Sequence, residues 1–274
     1  NFLSDYIKAF LDGKNNYGIN IIISEETKRL GTCGPLTLVK CNQCDLVQLQ
    51  HSYPLNEMYN EGYGYRSGVT DYMRQHLKKI IGFANKNVLL EEGDYVLDIG
   101  CNDGVLLKHY PKNYINVVGI EPSDASKHIK QKRIKLINKF FNYKTSNEYL
   151  KKYKRPRIIT ITNVLAQINN LNEFVKSLHN IINKRSLIVI EFPYLLYMID
   201  KGLFDLIYHE HLSYFALNPL KFLFKKFGIK IINFQKINVG ASGPAIRLFL
   251  TKNDSNYRIS KKVIKQMELR MSLQ

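Results

Sequence analysis

The sequence contains no tryptophan, only four cysteines and eight prolines in 274 residues. It also has no apolar run near the roughly 18 residues that span a bilayer. Each shortage excludes something. Four thiols, Cys33, Cys41, Cys44 and Cys101, are too few and too unevenly placed for a secreted disulfide framework, so they read as reduced thiols or metal ligands. The opening NFLSDYIKAFLDGK lacks a sustained apolar core and a small-residue cleavage site. No secretory signal is expected, and the cytoplasm is the expected compartment. The chain begins with Asn1 rather than Met, which points to trimmed or missing upstream residues. Acidic residues are scarce too, 23 against 40 Lys and Arg, for a formal net charge of +17. Most of the basic residues are Lys, scattered rather than gathered in one block. The surplus therefore fits a small anionic substrate as well as a polyanion, and neither a nucleic-acid nor a membrane partner is expected.

What is present is the composition of a globular chain, 45% hydrophobic and 12% aromatic, long enough for one or two domains. Residues 1–70 hold short β-like runs (INIII, LTLVKC, LVQLQ) between turn signals and read as a small irregular module. Residues 71–92 carry apolar positions at helical spacing behind Asp71, a residue able to cap a first turn. From Tyr95 to about residue 250, apolar β runs (YVLDIG, INVVGIE, IKLIN, RIITITNVL, SLIVIEF, IKIINF, AIRLFL) alternate with helical segments (SNEYLKKY, LNEFVKSLHNII, PLKFLFKKFG). That alternation predicts an α/β fold with a parallel-rich sheet covered by helices on both faces, spanning residues 71–250. Residues 251–274 read as the start of a further helical extension.

The strongest local signal is YVLDIGCNDGVLLKHY, in which a strand ends at Asp98 and a turn carries Gly100, Asn102 and Gly104 before a predicted helix. Glycines allow close backbone approach to a ligand and positive φ, which Asn tolerates better than most residues. The next strand ends at Glu121, followed by Pro122, where a carboxylate can accept hydrogen bonds from two ribose hydroxyls. A dinucleotide site would require G-x-G-x-x-G, whereas the spacing here is D-x-G-x-N-x-G. Further on, Tyr208, His209, Glu210 and His211 lie within an aromatic stretch. They can supply a general base and its orienting partner, metal ligands, or the polar residues of a packed lid.

The D-x-G-x-N-x-G turn resembles motif I of class I S-adenosylmethionine-dependent methyltransferases, whose fold is a Rossmann-like sheet. The run FDLIYHEHLSYF, with GPLTLVKCNQCDLVQLQHSY and YGYRSGVTDYMRQHL before it, resembles sugar C-methyltransferases acting on nucleoside diphosphate 4-keto-deoxyhexoses. The resemblance implies that Asp98, Gly100, Asn102, Gly104, Glu121, Pro122, Phe141 and Asn163 bind S-adenosylmethionine. It implies His211 as the base, assisted by Glu210 and Tyr208, and substrate contacts at His209 and Arg247. The implied reaction is methyl transfer to carbon, C3, of a nucleotide-linked 4-keto sugar through an enolate. An O- or N-methyltransferase of a saccharide or secondary metabolite is the alternative, and a binding or regulatory domain without turnover a third reading. The family's zinc module has two C-x-x-C pairs. This chain has Cys41 and Cys44, so zinc is expected if further cysteines lie upstream. GASGPAIR departs from the family's Gly-Gly-Ser run before Arg247, and the family continues into a longer C-terminal domain.

Overall fold

A computed structural model describes residues 34–59, 64–112, 114–240 and 243–268. The INIII run and Cys33 lie outside them. The main sheet has seven strands: β3 (Tyr95–Ile99), β4 (Asn116–Ile120), β5 (Ile134–Ile137), β6 (Ile158–Thr162), β7 (Leu187–Pro193), β9 (Ile229–Gly240) and β10 (Gly243–Lys252). Their spatial order is β5-β4-β3-β6-β7-β10-β9. The five strands from β5 to β7 are parallel to one another, while β10 runs antiparallel to both neighbours. The order reverses beside β3, so the ends of β3 and β6 open a crevice where ligands of such sheets bind.

The parallel strands are almost continuously apolar because both faces are covered. One face packs Leu97, Ile99, Ile159 and Ile161 with Phe174 and Leu178 of the helix Leu171–Ile181. The other packs Val96 and Ile158 with Leu77, Ile80 and Ala84 of the helix Asp71–Asn87. Helices Tyr143–Lys152 and Leu217–Lys226 complete the layers near their expected positions.

Three local features depart from expectation. The N-cap of the first long helix is Thr70, whose side chain accepts from the Met73 N–H, and Asp71 instead pairs with Arg74 inside the first turn. The segment after motif I forms only a 3-10 turn, Leu107–His109, because Pro111 follows within one turn and disfavours helical geometry before it. Residues 38–40 (β1) and 47–49 (β2) do pair, but a third strand, β8 (Ser213–Tyr214), joins them from the far end of the chain, with Val47 opposite Tyr214. Leu38, Val47 and Leu49 are buried against Leu195, Met198 and Leu212, so the 195–214 region packs on the N-terminal strands. Among the described residues no helix is long and apolar enough to cross a membrane.

Candidate active site

The turn after β3 is shaped by three residues with positive φ: Gly100 at 73°, Asn102 at 50° and Gly104 at 70°. A Cβ on Gly100 would lie 2.2 Å from Val164 Cγ2, so the turn can close only without a side chain there. Gly104 packs under the turn, where a Cβ would meet Ile134 and Ile129 at 3.1 and 3.3 Å. The Gly100 N–H donates to the Ile120 carbonyl at 2.8 Å and the Asn102 N–H to Glu121 Oε2 at 2.9 Å. Glu121 Oε1 accepts from the N–H and hydroxyl of Ser123. Its carboxylate thus takes three of about four possible donors, leaving capacity for a ligand hydroxyl. Asp98 is fully buried and accepts from Thr160 Oγ1 at 2.6 Å. Burial, with the nearby Glu121 charge, pushes its pKa up to about 7.

Several of these groups, though not Gly104, face a cleft of about 1070 Å³. Asp98, Gly100, Asn102, Glu121, Pro122, Phe141 and Asn163 line it, and so do Tyr208, Glu210 and His211 from the other end of the chain. Asn163 is held at φ 56° with its N–H donating to the Glu191 carbonyl at 2.8 Å. His211 Nδ1 lies 3.0 Å from the Leu206 carbonyl, which can only accept, so Nδ1 carries the proton and Nε2 presents a lone pair. The Tyr208 hydroxyl donates to that Nε2 at 2.9 Å. Burial pushes the His211 pKa below its ordinary value, and burial with the Glu210 charge pushes Tyr208 up to about 12. Near neutral pH the pair is a neutral imidazole and a neutral phenol. Burial also raises the Glu210 carboxyl.

Two expected substrate contacts stand apart from the cleft lining. Arg247 on β10 faces Glu191 on β7 in the sheet register, and its guanidinium binds that carboxylate at 2.6 Å. His76 binds the other Glu191 oxygen at 2.5 Å. Arg247 is thus held in a buried network with Glu191 and His76. His209 points instead at the segments flanking the N-terminal strands, with Nε2 3.0 Å from the Gly34 carbonyl and its ring edge-on to Tyr53. Sequence reasoning missed Thr160, the partner of Asp98, and Tyr65 and Ser67, which line the cleft. The Gly- and Tyr-rich run YGYRSG was the available signal for the latter two.

Among the described residues no cluster of three or more His, Cys, Asp or Glu is arranged to hold a metal. Cys41 and Cys44 supply two thiols on one turn, with backbone N–H groups of Gln43 and Cys44 drawing the Cys41 pKa down. A tetrahedral zinc site needs four ligands, twice what this pair supplies.

A family model described as a methyltransferase domain matches residues 66–233, more than half of the sequence. The chain belongs to the methyltransferase domain family. It is 25% identical over 236 residues to the C-methyltransferase NovU of Streptomyces niveus, a match covering 86% of this chain and 56% of that protein. The chain therefore spans little more than half the length of this relative. Among solved structures, the cyclopropane synthase MmaA2 of Mycobacterium tuberculosis superposes with a TM-score of 0.52 at 13% identity, covering 73% of this chain and 91% of that one. The plantazolicin methyltransferase BamL, in complex with SAH and a triazolic desmethylPZN analog, gives 0.51 at 16% identity, covering 68% and 87%. At such identities the likeness is one of fold. Family and fold make this a Rossmann-like methyltransferase domain with S-adenosylmethionine as its cofactor.

The cleft fits that cofactor. Asp98 and Glu121 receive hydrogen bonds only from neutral donors, and no basic side chain among the described residues forms an ion pair with either. A ligand carrying positive charge and ribose hydroxyls supplies what these two carboxylates lack.

Proposed function

We propose that this chain transfers methyl from S-adenosylmethionine to carbon, C3, of a nucleoside diphosphate 4-keto-deoxyhexose. The observation that carries the reading is the Tyr208–His211 pair, which puts a neutral imidazole lone pair and a phenolic donor in the same cleft as the cofactor turn. A 4-keto group acidifies the hydrogen on C3, so the reaction needs a base for that proton and a donor for the enolate oxygen. His211 Nε2 is the base, with Nδ1 kept protonated by the Leu206 carbonyl. Tyr208 first donates to Nε2, then turns its O–H toward the developing oxyanion, which frees the lone pair as it becomes needed. Glu210, half-buried beside them, adds to the negative field that keeps Tyr208 protonated. Asp98, Glu121 and the backbone of residues 100–104 hold the cofactor, with Pro122, Phe141 and Asn163 completing its walls. When bound, S-adenosylmethionine supplies an electrophilic methyl on a sulfonium. The likeness to NovU, which is named as a C-methyltransferase, supports carbon as the acceptor.

The test is to incubate the protein with S-adenosylmethionine and a panel of nucleoside diphosphate 4-keto-6-deoxyhexoses, following mass gain by spectrometry and the attachment point by NMR. A new methyl on C3 is the expected product. A methyl on oxygen or nitrogen, or no turnover across the panel, would contradict the reading.

A further inference from the structure

Asn102 has two tasks, and only one of them concerns the cofactor turn. Its backbone N–H binds Glu121, while its side chain reaches the segment leading into the helix Asp71–Asn87. Ser67 N–H donates to Asn102 Oδ1 at 2.9 Å, and Asn102 Nδ2 donates to the Tyr65 carbonyl at 3.0 Å. Next to it, Gly68 N–H donates to Asp103 Oδ2 at 2.9 Å. Residues 65–68 belong to no helix or strand, so these side chains stand in for the ladder partners their backbone would otherwise have. A carboxamide presents one donor and one acceptor side by side and can pair with the backbone on both sides of Arg66. Aspartate offers acceptors only, and glycine neither. Asn102 sits at φ 50°, where glycine is the easier residue, so a side chain kept there needs an offsetting contact. Both Asn102 and Asp103 are buried. The far side of the strap is tied as well, because Arg74 Nη1 donates to the Gly68 carbonyl at 2.5 Å.

Tyr65 and Ser67 line the same cleft as Tyr208 and His211. We propose that Asn102 and Asp103 clamp residues 65–68 in place as a wall of the acceptor site. Asn102 is then a positioning residue that ties the acceptor wall to the cofactor turn. The proposal rests on the reading of this cleft as holding both cofactor and keto sugar. It carries a linkage consequence: a cofactor that stiffens the turn also stiffens the wall, and acceptor and cofactor tighten each other by the same factor.

Asn102→Gly suits the test because the backbone geometry is retained and only the side-chain bonds are lost. Gly68→Ala breaks the same clamp from the other side, since its Cβ would lie 2.5 Å from Asp103 Oδ2. Three quantities are read for each variant in the full chain: S-adenosylhomocysteine affinity by calorimetry, amide hydrogen exchange at Ser67 and Gly68, and steady-state kinetics with a nucleoside diphosphate 4-keto-6-deoxyhexose that the wild type methylates. For Asn102→Gly we expect any loss of S-adenosylhomocysteine affinity to stay well below the rise in acceptor KM. Exchange at Ser67 and Gly68 should be faster by about tenfold or more, and acceptor KM about tenfold higher. Asn102→Asp, which keeps the Ser67 bond and loses the Tyr65 bond, should fall between, and Gly68→Ala should follow Asn102→Gly. Wild-type exchange and KM in Asn102→Gly would overturn the clamp, as would a loss of S-adenosylhomocysteine affinity equal to the rise in acceptor KM. Absence of turnover by the wild type would instead overturn the proposed function, while exchange at Ser67 and Gly68 would still decide the clamp.

Discussion

The two walls of the cleft are built by different means. On the side proposed for the cofactor, Asp98, Gly100, Asn102 and Glu121 come from one strand-turn-strand unit, and the hydrogen bonds that shape the turn close between neighbouring parallel strands. On the side proposed for the acceptor, residues 208–211 are held by the Leu206 carbonyl nearby and by N-terminal backbone far away, His209 meeting Gly34 across 175 positions. Strand β8 continues the same association by pairing with β2. The first wall is a local solution to a turn geometry. The second exists only once distant segments have docked. Substitutions should therefore separate the walls, damaging chemistry on one side and cofactor binding or stability on the other.

The largest separation is expected at His211. His211→Ala should lower kcat by about 10²- to 10⁴-fold, the usual contribution of a general base, while S-adenosylhomocysteine affinity measured by calorimetry stays within about twofold. Loss of both together would mean that His211 also helps to hold the cofactor. Next comes Gly100→Ala, which forces a Cβ into Val164 at φ 73°. A cost of about 2–4 kcal/mol to stability is expected in urea unfolding, with cofactor affinity lost in parallel. Wild-type stability for that variant would show that the turn is softer than its contacts imply.

A smaller effect with the opposite sign is expected at Asp98. Its folded pKa is raised to about 7 from an ordinary 3.8, so between those values the native state holds more protons than the unfolded chain. Stability contributed by this group falls as pH rises through that window. Asp98→Asn removes the penalty. It should raise the melting temperature at pH 8 by ~2–4 °C, and less at pH 5, while weakening S-adenosylmethionine binding. An equal shift at both pH values would contradict the assignment.

The same contrast explains what could be read from the sequence. The strands β3 to β7, the helices 143–152, 171–181 and 217–226, and the groups Asp98, Gly100, Asn102 and Glu121 follow from periodicity and turn chemistry over short stretches. The helix after motif I did not form because Pro111 stops it, a local signal outweighed by the strength of the D-x-G-x-N-x-G pattern. The partners of Arg247 are of a different kind. Glu191 lies opposite it in the antiparallel register and joins it to His76, a pairing no local pattern announces. His209 is likewise taken by Gly34, and Tyr65 and Ser67 join the cleft through the side chain of Asn102. None of these pairings has a period or a spacing, since each depends on the docking of separate elements.

The most direct test of the central claim, that the Tyr208–His211 pair removes a proton from carbon, is hydrogen exchange without methyl transfer. A nucleoside diphosphate 4-keto-6-deoxyhexose would be incubated in deuterated buffer with the protein and S-adenosylhomocysteine, and C3 followed by NMR. The account predicts enzyme-dependent loss of the C3 hydrogen signal. Because burial holds the His211 pKa below 6.5, the rate should fall only as pH drops below that value. His211→Ala should abolish the exchange. Exchange at the wild-type rate in His211→Ala, or methylation by the wild type with no exchange at C3, would contradict the account.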